Sequence, residues 1–198
     1  MRDAVLKGRV QFLLLAALFA APLIAAWVLY FVRPDWQPQG RTNYGALVQP
    51  VQALPESLAW VDAEGTAQGY ALVRGRWSLV MPVGDSCDEI CATRVHDYRQ
   101  MRLLLNEKRL RVQRLLLATA PEALPELKAQ LAADNPQMHL LAPSSPDDVA
   151  ASHFSGQPAG SVFVVDPLGN VMMVFPPDPD LKKVLRDIKR LLRLSQVG

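Results

Sequence analysis

The chain has 198 residues, 50% of them hydrophobic, and a formal net charge of +2. That leaves room for one ordinary domain and an appendage. The charge balance argues against nucleic acid as a partner, since basic residues cluster only in an amphipathic C-terminal stretch.

The apolar excess is concentrated near the start. Phe12 to Val32 carries no charged residue, which is long enough to cross a bilayer as a helix. A cleaved signal has a shorter apolar core and a small-residue cleavage site, whereas this one ends in Trp27, Tyr30 and Phe31, residues suited to a membrane interface. The segment reads as an uncleaved single-pass anchor over 12–32. Pro22 lies mid-span, where lipid-embedded helices tolerate it. Arg2, Lys7 and Arg9 precede the span and Arg33 follows it. The positive-inside bias places residues 1–11 in the cytoplasm and the remainder outside, which in a Gram-negative bacterium means inner membrane and periplasm.

Residues 33–55 are rich in Pro, Gln, Gly and Asn without a period, and read as a stalk. A domain then runs over 56–198. Leu58 to Asp62 and Tyr70 to Val73 are strand candidates around a Glu64-Gly65 turn. Trp77 to Val83 is apolar enough for a central strand buried on both faces. Ser86 and Glu89 form an S-x-x-E capping box, which would make Cys87 the first helical residue of a helix running to Lys108. Val112 to Thr119 is a further buried strand, Pro121 to Asp134 a helix and Gln137 to Leu141 a short strand. Pro143 to Gln157 reads as a loop with one helical turn. Ser161 to Val165 and Val171 to Phe175 flank Asp166-Pro-Leu-Gly-Asn170 as a hairpin. Asp178-Pro179 opens a last helix, Asp180 to Leu194, with Val184, Leu185, Ile188, Leu191 and Leu192 as its apolar stripe. Its basic face could lie on a membrane surface, but a solvated face on a core-packing helix is the plainer reading. Helices alternating with buried strands predict a three-layer α/β domain with a mixed sheet.

The chemistry is concentrated in Gly84-Asp-Ser-Cys-Asp-Glu-Ile-Cys91, which holds the only two cysteines. A close cysteine pair outside the cytoplasm is a stable disulfide, a redox couple or a metal site. At the end of a central strand it is where a thioredoxin-like domain carries its site. The helix N-terminus lowers the pKa of Cys87, and Asp85, Asp88 and Glu89 oppose it. Cys87 at the helix tip would be the exposed nucleophile and Cys91, a turn inward, would resolve. On one helix face their Cα atoms would be ~6 Å apart, feasible for a disulfide. Two thiolates also suit Cu(I), with a third ligand from elsewhere. His153, in a polar loop, is the best of a weak set that includes His96, Met81, Met172 and Met173. A structural disulfide or two inert buried thiols is the plain alternative.

The anchor, the lead-in hairpin at Asp62-x-x-Gly65, the C-x-x-x-C at Cys87 and Cys91, and the Asp166-Pro-Leu-Gly169 turn together resemble the Sco/SenC family. These are membrane-anchored, thioredoxin-like copper proteins that assist cytochrome c oxidase assembly. The resemblance implies that Cys87 and Cys91 bind copper, with one distant histidine. By count from Gly169, that histidine step falls on Gln157-Pro158, and His153 lies five residues too early. The prolines that follow the family cysteines are Asp88 and Ala92 here, and Gly160 stands at the place of the thioredoxin cis-proline. The expected function is therefore oxidase assembly by thiol–disulfide exchange or weak copper handling, with an oxidase subunit or another assembly factor as partner. The alternatives are a general membrane-tethered thiol–disulfide oxidoreductase and a non-catalytic binding module with a structural disulfide.

Overall fold

A computed structural model describes residues 2–32, 42–145 and 148–197. They fall into two compact units, Met1–Thr42 and Asn43–Gly198. Part of the expected stalk, residues 33–41, lies outside the described residues.

In the first unit, α1 (Arg2–Phe31) runs without a break through Pro22. Its stretch Arg9–Phe31 is long enough to span a bilayer, and the most apolar window within it has a mean hydropathy of 2.5. None of its most apolar window is buried against protein, so it is not the core helix of a soluble fold. The helix extends well before Phe12, because the first charged residues end the apolar run but not the helical backbone.

In the second unit the strands are β1 (Ala46–Ala53), β2 (Ala59–Asp62), β3 (Ala67–Gly69), β4 (Trp77–Pro82), β5 (Val112–Leu117), β6 (Met138–Pro143), β7 (Val162–Val165) and β8 (Asn170–Phe175). They form one mixed sheet in the order β1-β8-β7-β4-β5-β6-β2-β3. The pairs β4–β5 and β5–β6 are parallel, and the other neighbours are antiparallel. All of β5, and all of β4 but Pro82, is buried, as their unbroken apolar runs require of central strands.

The helices are α2 (Glu89–Leu103), α3 (Leu124–Leu131), α4 (Val149–Ser152) and α5 (Leu181–Leu194). Helices α2, α3 and α5 send Val95, Tyr98, Leu127, Val184 and Ile188 into one cluster on one face of the sheet. The other face packs Trp60, Val73, Phe154 and Phe163 under α4 and the loops. The buried stripe on α5 makes it a core-packing helix, not a membrane-surface one. The Asp166–Gly169 hairpin is as the sequence predicts: Asp166 Oδ1 accepts from the backbone N–H groups of Leu168 and Asn170, each at 2.9 Å. Gly169 sits at φ +85° with the Tyr70 ring where a Cβ would fall, so only glycine suits this turn.

Three expectations are corrected. The stretch read as stalk contains β1, an edge strand paired with β8, so the folded unit begins at Asn43. Residues Tyr70–Leu72 form a 3-10 turn, and the strand lies just before it, at β3. Pro121–Ala123 is likewise a 3-10 turn ahead of α3.

The start of α5 carries a pH-dependent cap. Asp180 accepts from the backbone N–H of Lys182 at 3.0 Å and of Lys183 at 3.3 Å, and pairs with Lys183 Nζ at 3.3 Å. Chiefly the Lys183 backbone bond holds its carboxyl below the ordinary 3.8. A depressed carboxylate contributes stability that is complete above pH 3.8 and lost as pH falls through the lower folded value. Asp180→Asn retains an acceptor for the cap. It is expected to flatten the acid limb of stability below pH 3.8, measured as urea midpoints between pH 5 and pH 2.

Candidate functional site

Cys87 and Cys91 are joined in a disulfide, with Cα atoms 5.2 Å apart. The bond sits where β4 hands over to α2, at the C-terminal ends of the parallel strands. Its placement differs from the expected capping box. Asp88, not Ser86, is the N-cap: its Oδ1 accepts from the Cys91 backbone N–H at 2.8 Å, and the helix begins at Glu89. Cys87 therefore lies ahead of the helix and Cys91 within its first turn.

This reverses the expected exposure. Cys87 is only 3% exposed and packs in the cluster that holds Val95 and Leu127. Cys91 is half-buried. The physical cause is apolar burial, which draws Cys87 off the helix axis and leaves a polar aspartate to cap the free N–H groups. Two further contacts pin the loop. Gln130 Nε2, on α3, donates to the Cys87 carbonyl at 2.7 Å. Thr119 Oγ1, just after β5, donates to Asp85 Oδ1. The Gln130 contact has no local sequence signal, because the two residues are 43 positions apart.

The rim is acidic and partly apolar. Asp85, Asp88 and Glu89 are exposed, and Ile90 beside them is 63% exposed.

The structure separates the two histidine candidates, while two of the methionines pack in the cluster that holds Cys87. His153 caps α4 at its C-terminal end, with Nδ1 3.0 Å from the Val149 carbonyl. Its neighbours Ala150 and Phe154 pack on the face of the sheet opposite to that holding Cys87. His96 is exposed on α2. Met81 and Met173 are core residues of the Cys87 cluster, and Met172 lies beside a β-bulge. Among the described residues, no three His, Cys, Asp or Glu side chains gather closely enough to hold a metal ion. The residues present therefore do not fit a three-ligand copper centre built from Cys87, Cys91 and His153.

What the site can do is thiol–disulfide exchange. The disulfide spans a sequence separation of 4, and closing so short a loop stabilises by about 2 kcal/mol in the chain-entropy account. Reduction is expected to lower the thermal midpoint by ~4–8 °C and to leave the domain folded. Thermal unfolding with and without reductant, followed by near-UV circular dichroism, checks this. Loss of the folded state on reduction would mark the bond as a structural staple.

A family model described as "Transmembrane-like, thioredoxin-like, C-terminal domain" matches residues 77–195, more than half of the chain. No curated protein matches the chain in sequence. Solved structures match it in fold. Apo Sco1 from Thermus thermophilus has a TM-score of 0.60 at 21% identity, covering 77% of this chain and 99% of that one. Yeast Sco1 with copper bound has 0.59 at 16%, covering 73% and 91%. BsSco, described as a member of the Sco family of cytochrome c oxidase assembly proteins with a disulfide switch, has 0.55 at 13%, covering 76% and 100%. At these identities the likeness is one of architecture: a thioredoxin-like sheet of the Sco/SenC kind. With its apolar N-terminal helix and a cysteine pair at the strand–helix junction, the chain belongs to the transmembrane-like, thioredoxin-like C-terminal domain family.

Proposed function

We propose that the chain is a membrane-anchored, Sco-like accessory protein of cytochrome c oxidase assembly that works by thiol–disulfide exchange at Cys87 and Cys91. The observation that carries this reading is the closed pair itself: one cysteine is buried, the other reachable, at the end of a central strand. The Sco-type architecture and the disulfide switch described for BsSco support it. The basic residues before the span favour a cytoplasmic N-terminus, with the thiol domain on the far side of a bacterial inner membrane, in the periplasm.

In the reductive direction, the Cys91 thiolate attacks one sulfur of a partner disulfide. The partner's other sulfur leaves as a thiolate. Cys87, losing its proton to water, then attacks Cys91 in the mixed disulfide and releases the second partner thiolate. The partner gains two electrons and the chain closes its own bond. A copper-site cysteine pair of an oxidase subunit is the substrate this reading assigns. No step is routed through copper, and two thiolates alone would handle Cu(I) only weakly.

The test is complementation in the host. Replacing both cysteines by serine should lower assembled oxidase, with protein levels unchanged. Normal assembly in that variant, together with no Cu(I) binding by the reduced protein, overturns the reading and leaves a binding module with a structural disulfide. A second reading, a general membrane-tethered periplasmic oxidoreductase, is favoured because, among the described residues, no His, Asp or Glu groups with the two cysteines as a metal site. It predicts mixed disulfides between Cys91 and many exported proteins rather than one.

A further inference from the structure

The end of the sheet opposite the disulfide has a second opening. The N-terminal ends of β4, β5 and β6, with the segment that follows α2, surround a cavity of ≈ 540 Å³. That is the size range of small-molecule sites. Its polar lining is Arg76, Arg102, Gln113, Gln137 and His139, and among the described residues no carboxylate lines it.

Arg102 is held in place. Its Nε donates to the Val112 carbonyl at 2.6 Å, and its Nη1 to Gln137 Oε1 at 2.8 Å. Both partners are neutral, so the charge itself is unmatched. Among the described residues, no carboxylate forms an ion pair with Arg76, Arg102 or Arg109. Burial, followed by repulsion from Arg109 and Arg76, holds the Arg102 pKa below its ordinary value. His139 lies exposed on the cavity wall, and its pKa is lowered too, by partial desolvation there and then by Arg76, with Asp62 acting in the other direction. The Asp62 carboxylate is already engaged with Gln68 and with the backbone N–H groups of Glu64 and Thr66. The Arg76 and Arg102 guanidinium groups share one open cavity with no carboxylate paired to them among the described residues, and a bound anion would offset that positive charge.

We propose that this cavity binds a small molecule bearing phosphate or carboxylate groups, through the Arg76 and Arg102 guanidinium groups with His139. Planar guanidinium groups match either oxyanion through paired N–H donors. The site lies at the far end of the sheet from the disulfide and does not depend on thiol chemistry, so the oxidised and reduced proteins bind alike.

The test is isothermal titration of the full-length protein in neutral detergent, with inorganic pyrophosphate and with citrate as separate probes. Saturable binding to a single site is expected with at least one of them. Arg76 is exposed, and Arg76→Gln should weaken binding about tenfold or more, as loss of a charge-assisted hydrogen bond does. His139→Gln, a second variant, should weaken it as well, while Arg186→Gln on α5 should leave it unchanged. Unaltered thermal midpoints establish that each variant folds. No saturable binding of either probe, or equal losses in Arg76→Gln and Arg186→Gln, overturns the proposal.

Discussion

In the reduced protein, the two single-cysteine variants are expected to react with a neutral alkylating reagent at rates on the order of a hundredfold apart, with Cys91 the faster. Cys91 lies half-buried on the first turn of α2 and can be reached from solvent. Cys87 is 3% exposed, packed in the core cluster, with its carbonyl held by Gln130. A reagent reaches it only when the loop opens, and an opening of about 3 kcal/mol slows reaction by that hundredfold. A neutral reagent is needed because Asp85, Asp88 and Glu89 would otherwise bias the comparison. Cys87→Ser, which leaves Cys91, should be modified rapidly, and Cys91→Ser slowly. Adding Gln130→Ala to the second variant should narrow the gap, because the loop loses its tie to α3. Equal rates, or a faster Cys87, would restore the helix-tip nucleophile expected from the capping box. The result bears directly on mechanism, since only the accessible sulfur can form a mixed disulfide with a protein partner.

The reversal shows where the sequence was legible and where it was not. Strands β4 and β5 were visible because a strand buried on both faces must be apolar throughout, and few other elements look like that. The Asp166–Gly169 turn was visible because its chemistry is local: an aspartate that folds back on its own backbone, and a glycine at positive φ. The cap of α2 is local too, but two signals overlapped there. Ser86 with Glu89 and Asp88 with the Cys91 N–H both satisfy a helix start, two residues apart. What decided between them is the burial of Cys87 against residues of α2 and α3, a tertiary effect that no local pattern carries. The same limit applies to His153. Its distance from the sulfurs follows from which face of the sheet α4 covers, and a residue count from Gly169 cannot show that. The arginine-lined cavity was equally hidden, since Arg76, Arg102 and His139 come from three separate segments.

Strand β1 went unread for a different reason, and it carries the largest stability effect. Ala46–Ala53 holds Pro50 and two glutamines and has no clean alternation. As an edge strand it pairs on one side only, with a break in register between Leu47 and Gln52, so a proline costs it little. What fixes its start is not β propensity but one buried carboxylate on the far side of the domain in sequence. Asp187 of α5 is 3% exposed, and its Oδ2 accepts from the backbone N–H of Tyr44 at 2.6 Å and of Gly45 at 2.9 Å. Gly45 has no side chain because none fits: a Cβ there would lie 2.5 Å from Met173 Sδ and 2.8 Å from Phe175 Cε1. The Tyr44 ring stacks on Phe175 at 6.4 Å, and its hydroxyl accepts from the Asp180 N–H at 3.0 Å. Asp187→Ala leaves two backbone donors unpaired in this corner, at roughly 1–3 kcal/mol each and less than additive together. The expected loss is about 2–4 kcal/mol, or ~5–15 °C in thermal midpoint. Asp187→Asn keeps one acceptor oxygen and should lose less. Hydrogen exchange separates local from global loss: β1 amides should lose protection while β4 and β5 keep theirs. Unchanged protection in β1 would mean that pairing with β8 alone holds the strand, and that Asp187 serves α5 instead. Because Met173 and Phe175 belong to the same buried cluster as Cys87, freeing β1 should also speed alkylation of Cys87 in the reduced protein. That coupling would make the corner at Tyr44 and Asp187 a support for the thiol site through a shared core.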